Sequence, residues 1–201
     1  RVNRVIAGSG YWVHGSGKGT TTEESPLNPV GDSKFNYETE RIVLDANRKG
    51  ELEGIVVRPG MIYGNGSWFK PMAESIKAGH YRYVGDGSQH WGVVGLADVG
   101  EAYRVIAEKG KAGEAYLVVD DLPVRVKEYT TFIADVISGP KPQGMDYATA
   151  VKTMGEDFAK ILSQNQACSN AKLRTLGWVP RYKTYKEGIP VLMREMGFGR
   201  P

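Results

Sequence analysis

The chain is short of several things, and each shortage excludes something. Its 201 residues include one cysteine, Cys168, so no internal disulfide can form, and such usage fits a reducing, cytoplasmic setting. Cys168 itself reads as a small buried or half-buried filler rather than a nucleophile. No apolar run reaches the ~18 residues of a membrane span, and no secretory leader is recognisable, so no membrane is expected as a partner. The formal net charge is only +3 and is spread along the chain, which excludes the basic footprint of a nucleic-acid binder. His14, His80 and His90 share no spacing and have no carboxylate at ligand distance in sequence, so no metal site is expected. Internal repeats and low-complexity tracts are missing as well.

What is present is an ordinary globular composition. The chain is 41% hydrophobic and 24% charged, enough for the core of one domain, or of one with a small appendage. Ile55, Val56 and Val57 form an apolar run with the look of a strand buried on both faces. The run stops at Arg58, Pro59 and Gly60, with Tyr63 and Gly64 just beyond. Ligands of open α/β sheets sit past the carboxyl ends of strands, so residues 54–64 are where a site is sought. A strand is also expected over residues 2–7, running into Gly8, Ser9 and Gly10. Residues 11–15 read as extended or loop, and Pro26 and Pro29 forbid a regular helix in residues 16–31.

A helix capped by Asp32 or Ser33 is expected to reach about residue 47, with Phe35, Thr39, Ile42 and Ala46 on one stripe. Further helices are expected over 70–78, from 98 onward, and over 126–137, 147–162 and 186–196. Short strands fit residues 81–84, 92–96 and 115–119. Strands alternate with helices early and helices dominate late, which argues an α/β core with a smaller helical part appended.

Residues 15–20 spell Gly-Ser-Gly-Lys-Gly-Thr after a strand, a pattern like the phosphate loop of a nucleotide kinase. Two objections stand. Gly19 follows Lys18 where Ser or Thr is wanted, and the prolines leave no room for the helix that must face the phosphate. A flexible turn is the preferred reading.

Taken together, the motifs resemble the extended short-chain dehydrogenase/reductase family, the NAD-dependent epimerase/dehydratases. Residues 8–15 resemble its Ser-rich strand end and Val-Tyr-Gly, with His14 in the Tyr place. Residues 22–29 resemble its Thr-Glu…Pro loop, 30–34 its Tyr-Gly-x-Ser-Lys, and 57–64 its Arg-Pro-x-Asn-Val-Tyr-Gly. Residues 85–88 and 93–99 resemble its Gly-x-Gly…Val-His-Val-x-Asp-Val, and 169–188 its C-terminal segment with Leu-Gly-Trp-Val-Pro inside. The resemblance implies the C-terminal part of a Rossmann-like doubly wound parallel sheet with a small, mostly helical substrate-binding appendage. It divides the chain into residues 1–64, the remaining half of that core, and 65–201, the rest of the core with the substrate-binding region. It further implies an NAD- or NADP-dependent oxidoreductase or isomerase acting on a hydroxyl or carbonyl carbon of a small, sugar-derived or other substrate, with a homodimer as one form of association.

Departures from the family pattern qualify this. No Gly-x-x-Gly-x-x-Gly turn is present, so the chain is expected to be a fragment without the adenosine-binding half, inactive alone and a weak binder of cofactor. In the family a Tyr moves the proton, a Lys one turn on lowers its pKa and holds ribose, and a Ser or Thr positions substrate. If Ser33 and Lys34 anchor the register, Val30 takes the Tyr place. If Glu40 and the residues after it are the anchor, the Tyr and Lys places hold Asp32 and Asn36. Tyr37, one turn from Lys34 and Arg41, is the nearest substitute. The resemblance thus nominates Ser9, Lys34 and Tyr37 as catalytic residues. For cofactor it nominates Gly8, Ser9, Gly10, Lys34, Pro59, Gly60, Met61 and Ile62, and for substrate Met61, Trp68 and Trp91. Met61 where Asn is usual, with Trp68, Phe69 and Trp91, implies a more apolar pocket than a nucleotide sugar needs. A non-catalytic or regulatory member of the fold is the alternative.

Overall fold

The computed structural model describes residues 3–198. The chain opens with β1 (Arg4–Gly8), a 3-10 turn (Tyr11–His14) and the two-residue β2 (Thr20–Thr21). Helix α1 (Ser33–Arg48) leads into β3 (Glu53–Pro59) and β4 (Met61–Tyr63). Next come α2 (Phe69–Lys77), β5 (Arg82–Val84), β6 (His90–Trp91), β7 (Val93–Gly95) and α3 (Leu96–Lys109). The remainder holds β8 (Ala115–Val118), β9 (Val124–Arg125), α4 (Val126–Val136), β10 (Gln143–Met145) and α5 (Tyr147–Met154). It ends with α6 (Glu156–Leu162), β11 (Ala167–Cys168), α7 (Ala171–Arg174) and α8 (Tyr185–Glu195).

The apolar run of β3 takes the middle of a parallel sheet ordered β1-β3-β8. Ile6 stands opposite Ile55, and Val57 opposite Tyr116. Ile55 and Val57 face α3, with Val99, Ala102 and Ile106 packed on them. The other face belongs to α1, which crosses at Gly54, where a Cβ would collide with the Val43 carbonyl. Helices on both faces of a parallel sheet make the fold Rossmann-like, as the motif order implies.

Pro59 and Gly60 do not make a simple turn. The Gly60 N–H still donates to the Val118 carbonyl at 2.9 Å, and the Met61 N–H donates to the Gly92 carbonyl at 2.8 Å. The chain thereby steps from the central sheet into a second parallel pair, β4 with β7. Only glycine allows the step, because a Cβ at Gly60 would lie 2.5 Å from the Gly92 oxygen. At the sheet margins, β1 pairs among the described residues with β3 alone, while the Leu117 N–H of β8 donates to Glu23 Oε1 at 2.7 Å.

Beyond this sheet a second core gathers Tyr63, Phe69, Ile76, Trp91, Tyr129, Ile133, Tyr185 and Ile189 between α2, α4 and α8. Tyr129 and Phe132 both meet the Tyr185 ring in T-shaped contacts, 5.4 and 5.3 Å between centroids.

Three expectations are corrected. Residues 11–15, read as extended or loop, are not extended: residues 11–14 wind into a 3-10 turn closed by Gly15 at φ 68°. The helix expected over 147–162 is two helices, because Gly155 adopts φ 86° and its N–H ends α5 on the Val151 carbonyl. The apolar stripe of α1 faces outward: Phe35 is 76% exposed and Ile42 64%, whereas Ser33 and Glu40 are buried. The strand expected over residues 2–7 appears as β1, and Val2 lies outside the described residues.

Candidate functional site

The inner face of α1 is polar for a reason visible at the carboxyl ends of β1 and β3. Glu40 receives a two-pronged ion pair from Arg58, Nε to Oε1 at 2.9 Å and Nη2 to Oε2 at 2.7 Å. Both side chains are almost fully buried, at 2% and 3% exposure. The Ser9 hydroxyl donates to Glu40 Oε1 at 2.5 Å, and its N–H donates to the Val57 carbonyl. On the far side Arg58 Nη1 lies 3.1 Å from His14 Nε2, and His14 Nδ1 lies 3.4 Å from the Pro26 carbonyl. Burial first, then the Arg58 cation, hold the His14 pKa below its ordinary value. A neutral ring donating from Nδ1 and accepting at Nε2 satisfies both neighbours. A continuous polar chain therefore runs from the 22–29 loop through His14, Arg58 and Glu40 to Ser9.

This chain fixes where α1 starts relative to the sheet. Ser33 is used locally: its hydroxyl donates to the Val30 carbonyl at 2.6 Å and accepts the Val30 N–H at 2.9 Å. Asp32 and Asn36 instead open into a cleft of about 510 Å³ beside the β1 end. Asn36 Nδ2 comes close enough to Gly10 that a Cβ there would touch it at 3.5 Å. Trp12, Phe35, Phe158 and Ile161 make the apolar walls.

None of the nominated residues is among those that line this cleft. Gly8 and Gly10 flank Ser9 at its β1 side, and a Cβ at Gly8 would collide with the Tyr103 hydroxyl. Lys34 is exposed and Tyr37 half-buried, and neither is among the cleft-lining residues. Pro59, Met61 and Ile62 are half-buried, and Gly60 is buried at the strand step. The two tryptophans each meet one ring of the walls, Trp91 from the core and Trp68, 40% exposed, from the surface. Trp91, 1% exposed, meets Trp12 edge-on at 6.0 Å, and Trp68 meets Phe158 edge-on at 5.8 Å.

Two features escaped sequence reasoning. One is the polar chain, for which the Glu40 anchor was the available signal. The other is Asp120, just past β8, whose carboxylate accepts the Tyr63 hydroxyl at 2.8 Å. Burial pushes the Asp120 carboxyl up to about 8. Asp120 Oδ1, the Tyr11 and Tyr129 hydroxyls and Trp91 Nε1 have no partner among the described residues. Buried polar atoms of this kind are ordinarily met by ordered water. Nothing in local sequence announces these buried polar atoms, because they come from separate parts of the chain.

The geometry of residues 15–20 does not favour the lesser alternative, a phosphate loop. The Gly17 N–H is already bonded to the Asn165 carbonyl, and the loop runs into β2, which pairs with β11. No helix follows until α1 at Ser33, so no helix N-terminus faces the loop. Among the described residues no three His, Cys, Asp or Glu side chains are placed to hold a metal ion, and no helix is long and apolar enough to cross a membrane.

Comparison with known proteins agrees with the geometry. Residues 1–119 match the family model described as NAD dependent epimerase/dehydratase. An uncharacterized protein of Saccharomyces cerevisiae is 27% identical over 146 residues, 71% of this chain and 49% of the yeast protein. A farnesyl-dihydroquinoline-oxide ketoreductase of Stigmatella aurantiaca is 29% identical over 100 residues, 49% of this chain and 30% of that protein. Among solved structures, dTDP-glucose 4,6-dehydratase of Streptomyces venezuelae, a double mutant with NAD bound, superposes with a TM-score of 0.80 at 21% identity. That match covers 96% of this chain and 59% of the other. The chain thus spans about half, or less, of the curated relatives it matches.

Proposed function

Because the chain belongs to the NAD dependent epimerase/dehydratase family, we propose that it forms the nicotinamide-side and substrate-side walls of an NAD- or NADP-dependent oxidoreductase. Its substrate would be small and would react at a hydroxyl or carbonyl carbon. The observation that carries this reading is the Glu40–Arg58 pair, which ties α1 to the end of β3 and so fixes the start of α1, where the cleft opens.

The residues present fit one end of a dinucleotide. Gly8 and Gly10 permit close approach of a ring or ribose at the β1 end, with Pro59, Gly60, Met61 and Ile62 on the β3–β4 side. Among the described residues no strand–glycine-rich turn–helix unit cradles a pyrophosphate, and the cleft is lined by no cation. A bound nicotinamide supplies the hydride exchange. The chain's own part is to hold and orient. With the Glu40 register, a carboxylate (Asp32) and a neutral amide (Asn36) stand where the family has its phenol and ammonium. Lys34 and Tyr37 remain candidates only if α1 presents its outer flank to the reacting groups. The same substitution favours a second reading, a non-catalytic member that keeps the fold and binds without turnover.

Saturation-transfer NMR with NAD tests the placement. Magnetisation should pass to the nicotinamide protons and not to the adenine protons, with weak overall affinity. Equal transfer to both rings, no transfer, or a micromolar Kd by calorimetry would each overturn it. Turnover separates the two readings: hydride exchange lost in Asp32→Asn with NAD contact retained supports catalysis.

A further inference from the structure

We infer that residues 22–29 form a flap over the margin of β8, and that His14 is the trigger that lifts it in mild acid. The flap holds no helix or strand, and none of its residues is buried, so no apolar core keeps it in place. Its ends are fixed. Thr21 lies in β2, with its carbonyl taken by the Ser169 N–H at 2.9 Å, and Val30 is bound through both backbone groups to the Ser33 hydroxyl. Between those ends the ties are polar. Glu23 accepts the Leu117 N–H of β8, and the exposed Glu24 lies 3.6 Å from Lys172. The Asn28 N–H donates to the Val13 carbonyl at 2.9 Å, and the Pro26 carbonyl lies 3.4 Å from His14 Nδ1. Two of these ties therefore end on neighbouring residues of the 3-10 turn, and one of those residues can change its charge.

The His14 ring, 5% exposed, faces Arg58 of β3 at 3.1 Å, with Glu40 of α1 beyond it. A proton on Nε2 sets two donors and two positive charges against each other. Glu40 offers no relief, since both its oxygens already serve Arg58. The ring has room to leave. Beside it lies a cavity of about 320 Å³ walled by Thr21, Ser25, Pro26 and Asn28, with Lys18 as its cation. A charged ring that turns from Arg58 into this space gives up Pro26 and presses on the flap itself. Glu23, flanked by Lys172 and Glu24, acts in the opposite sense. Its burial favours the neutral acid in the closed flap, so its own proton uptake draws the flap shut. Release therefore begins as pH falls below the ordinary histidine value of 6.5 and is checked as Glu23 takes up its proton.

Amide hydrogen exchange on the whole chain, corrected for intrinsic rates, tests this between about pH 7.5 and 5.5. The Leu117 N–H should lose about tenfold in protection. The Val56 and Gly60 N–H groups, bonded within the same sheet to the Glu114 and Val118 carbonyls, should keep theirs. His14→Gln, which has no ring to charge, should abolish the loss at Leu117. Glu23→Gln keeps an acceptor there and should let the loss run deeper. In the unaltered chain the midpoint of the His14 ring titration, followed by NMR, should coincide with the fall at Leu117. Constant Leu117 protection, a parallel loss at Val56, a fall that survives His14→Gln, or a ring midpoint elsewhere would each overturn the inference.

Discussion

Two regions of this molecule, the aromatic core and the layer between α1 and the sheet, are built on opposite principles. Between α2, α4 and α8 the inner residues are what a helix pattern predicts, with Ile133, Tyr129 and Ile189 buried and the charges outside. Between α1 and the sheet the inner residue is Glu40, held by Arg58, and the large apolar side chains of α1 look outward. The first core is held by apolar area and tolerates gradual loss. The second is held by one buried pair, whose members are costly to desolvate and far costlier to separate.

The comparison can be broken most sharply at Arg58. Arg58→Met leaves the Glu40 charge buried and unpaired and should cost about 4 kcal/mol in urea unfolding. The double replacement Glu40→Leu with Arg58→Met should recover most of that loss. A double variant as unstable as the single one would mean that the pair does more than balance itself. In the aromatic core, Ile133→Ala should cost about 3 kcal/mol, with no partner substitution that restores it.

Next in size come opposed pH slopes. His14 is held neutral in the fold below its ordinary 6.5, so below about pH 6.5 the unfolded chain binds the extra proton. The polar core should therefore lose stability as pH falls through that window, and His14→Asn should flatten the fall. Asp120, raised from 3.8 to about 8, keeps its proton in the fold where the unfolded chain has lost it. Its side of the molecule should lose stability as pH rises from about 4 to 8, then level off, and Asp120→Asn should remove that slope. Unfolding midpoints taken from pH 4 to 9 read both. The smallest effect is expected on the outer face of α1, where Ile42→Glu should change stability by no more than about 0.5 kcal/mol.

The contrast also explains what the sequence made legible. The central strand, the helices of the later half and the order of motifs were readable because burial there follows apolar spacing, as at Ile55–Val57 and Ile133. The orientation of α1 was not. Its stripe of Phe35 and Ile42 has the right period, but period alone does not say which face an Arg58 eighteen residues further along the chain will claim through Glu40. The break at Gly155 was hidden because glycine inside a helical pattern is usually tolerated, and only its left-handed backbone ends α5. Trp68 and Trp91 were placed close to the site by their residue type. Their edge-on contacts with Phe158 and Trp12 join elements far apart in sequence.

The two margins of the central sheet are unequal. On β8 a carboxylate from the 22–29 loop already takes the Leu117 N–H, and an incoming strand would have to displace it. On β1 the described residues place no strand beyond β3's partner row. Unpaired strand margins are where backbone adds to backbone. The sheet is consequently a one-way template: it can lengthen past Arg4–Gly8, and its opposite border is sealed by a side chain of its own.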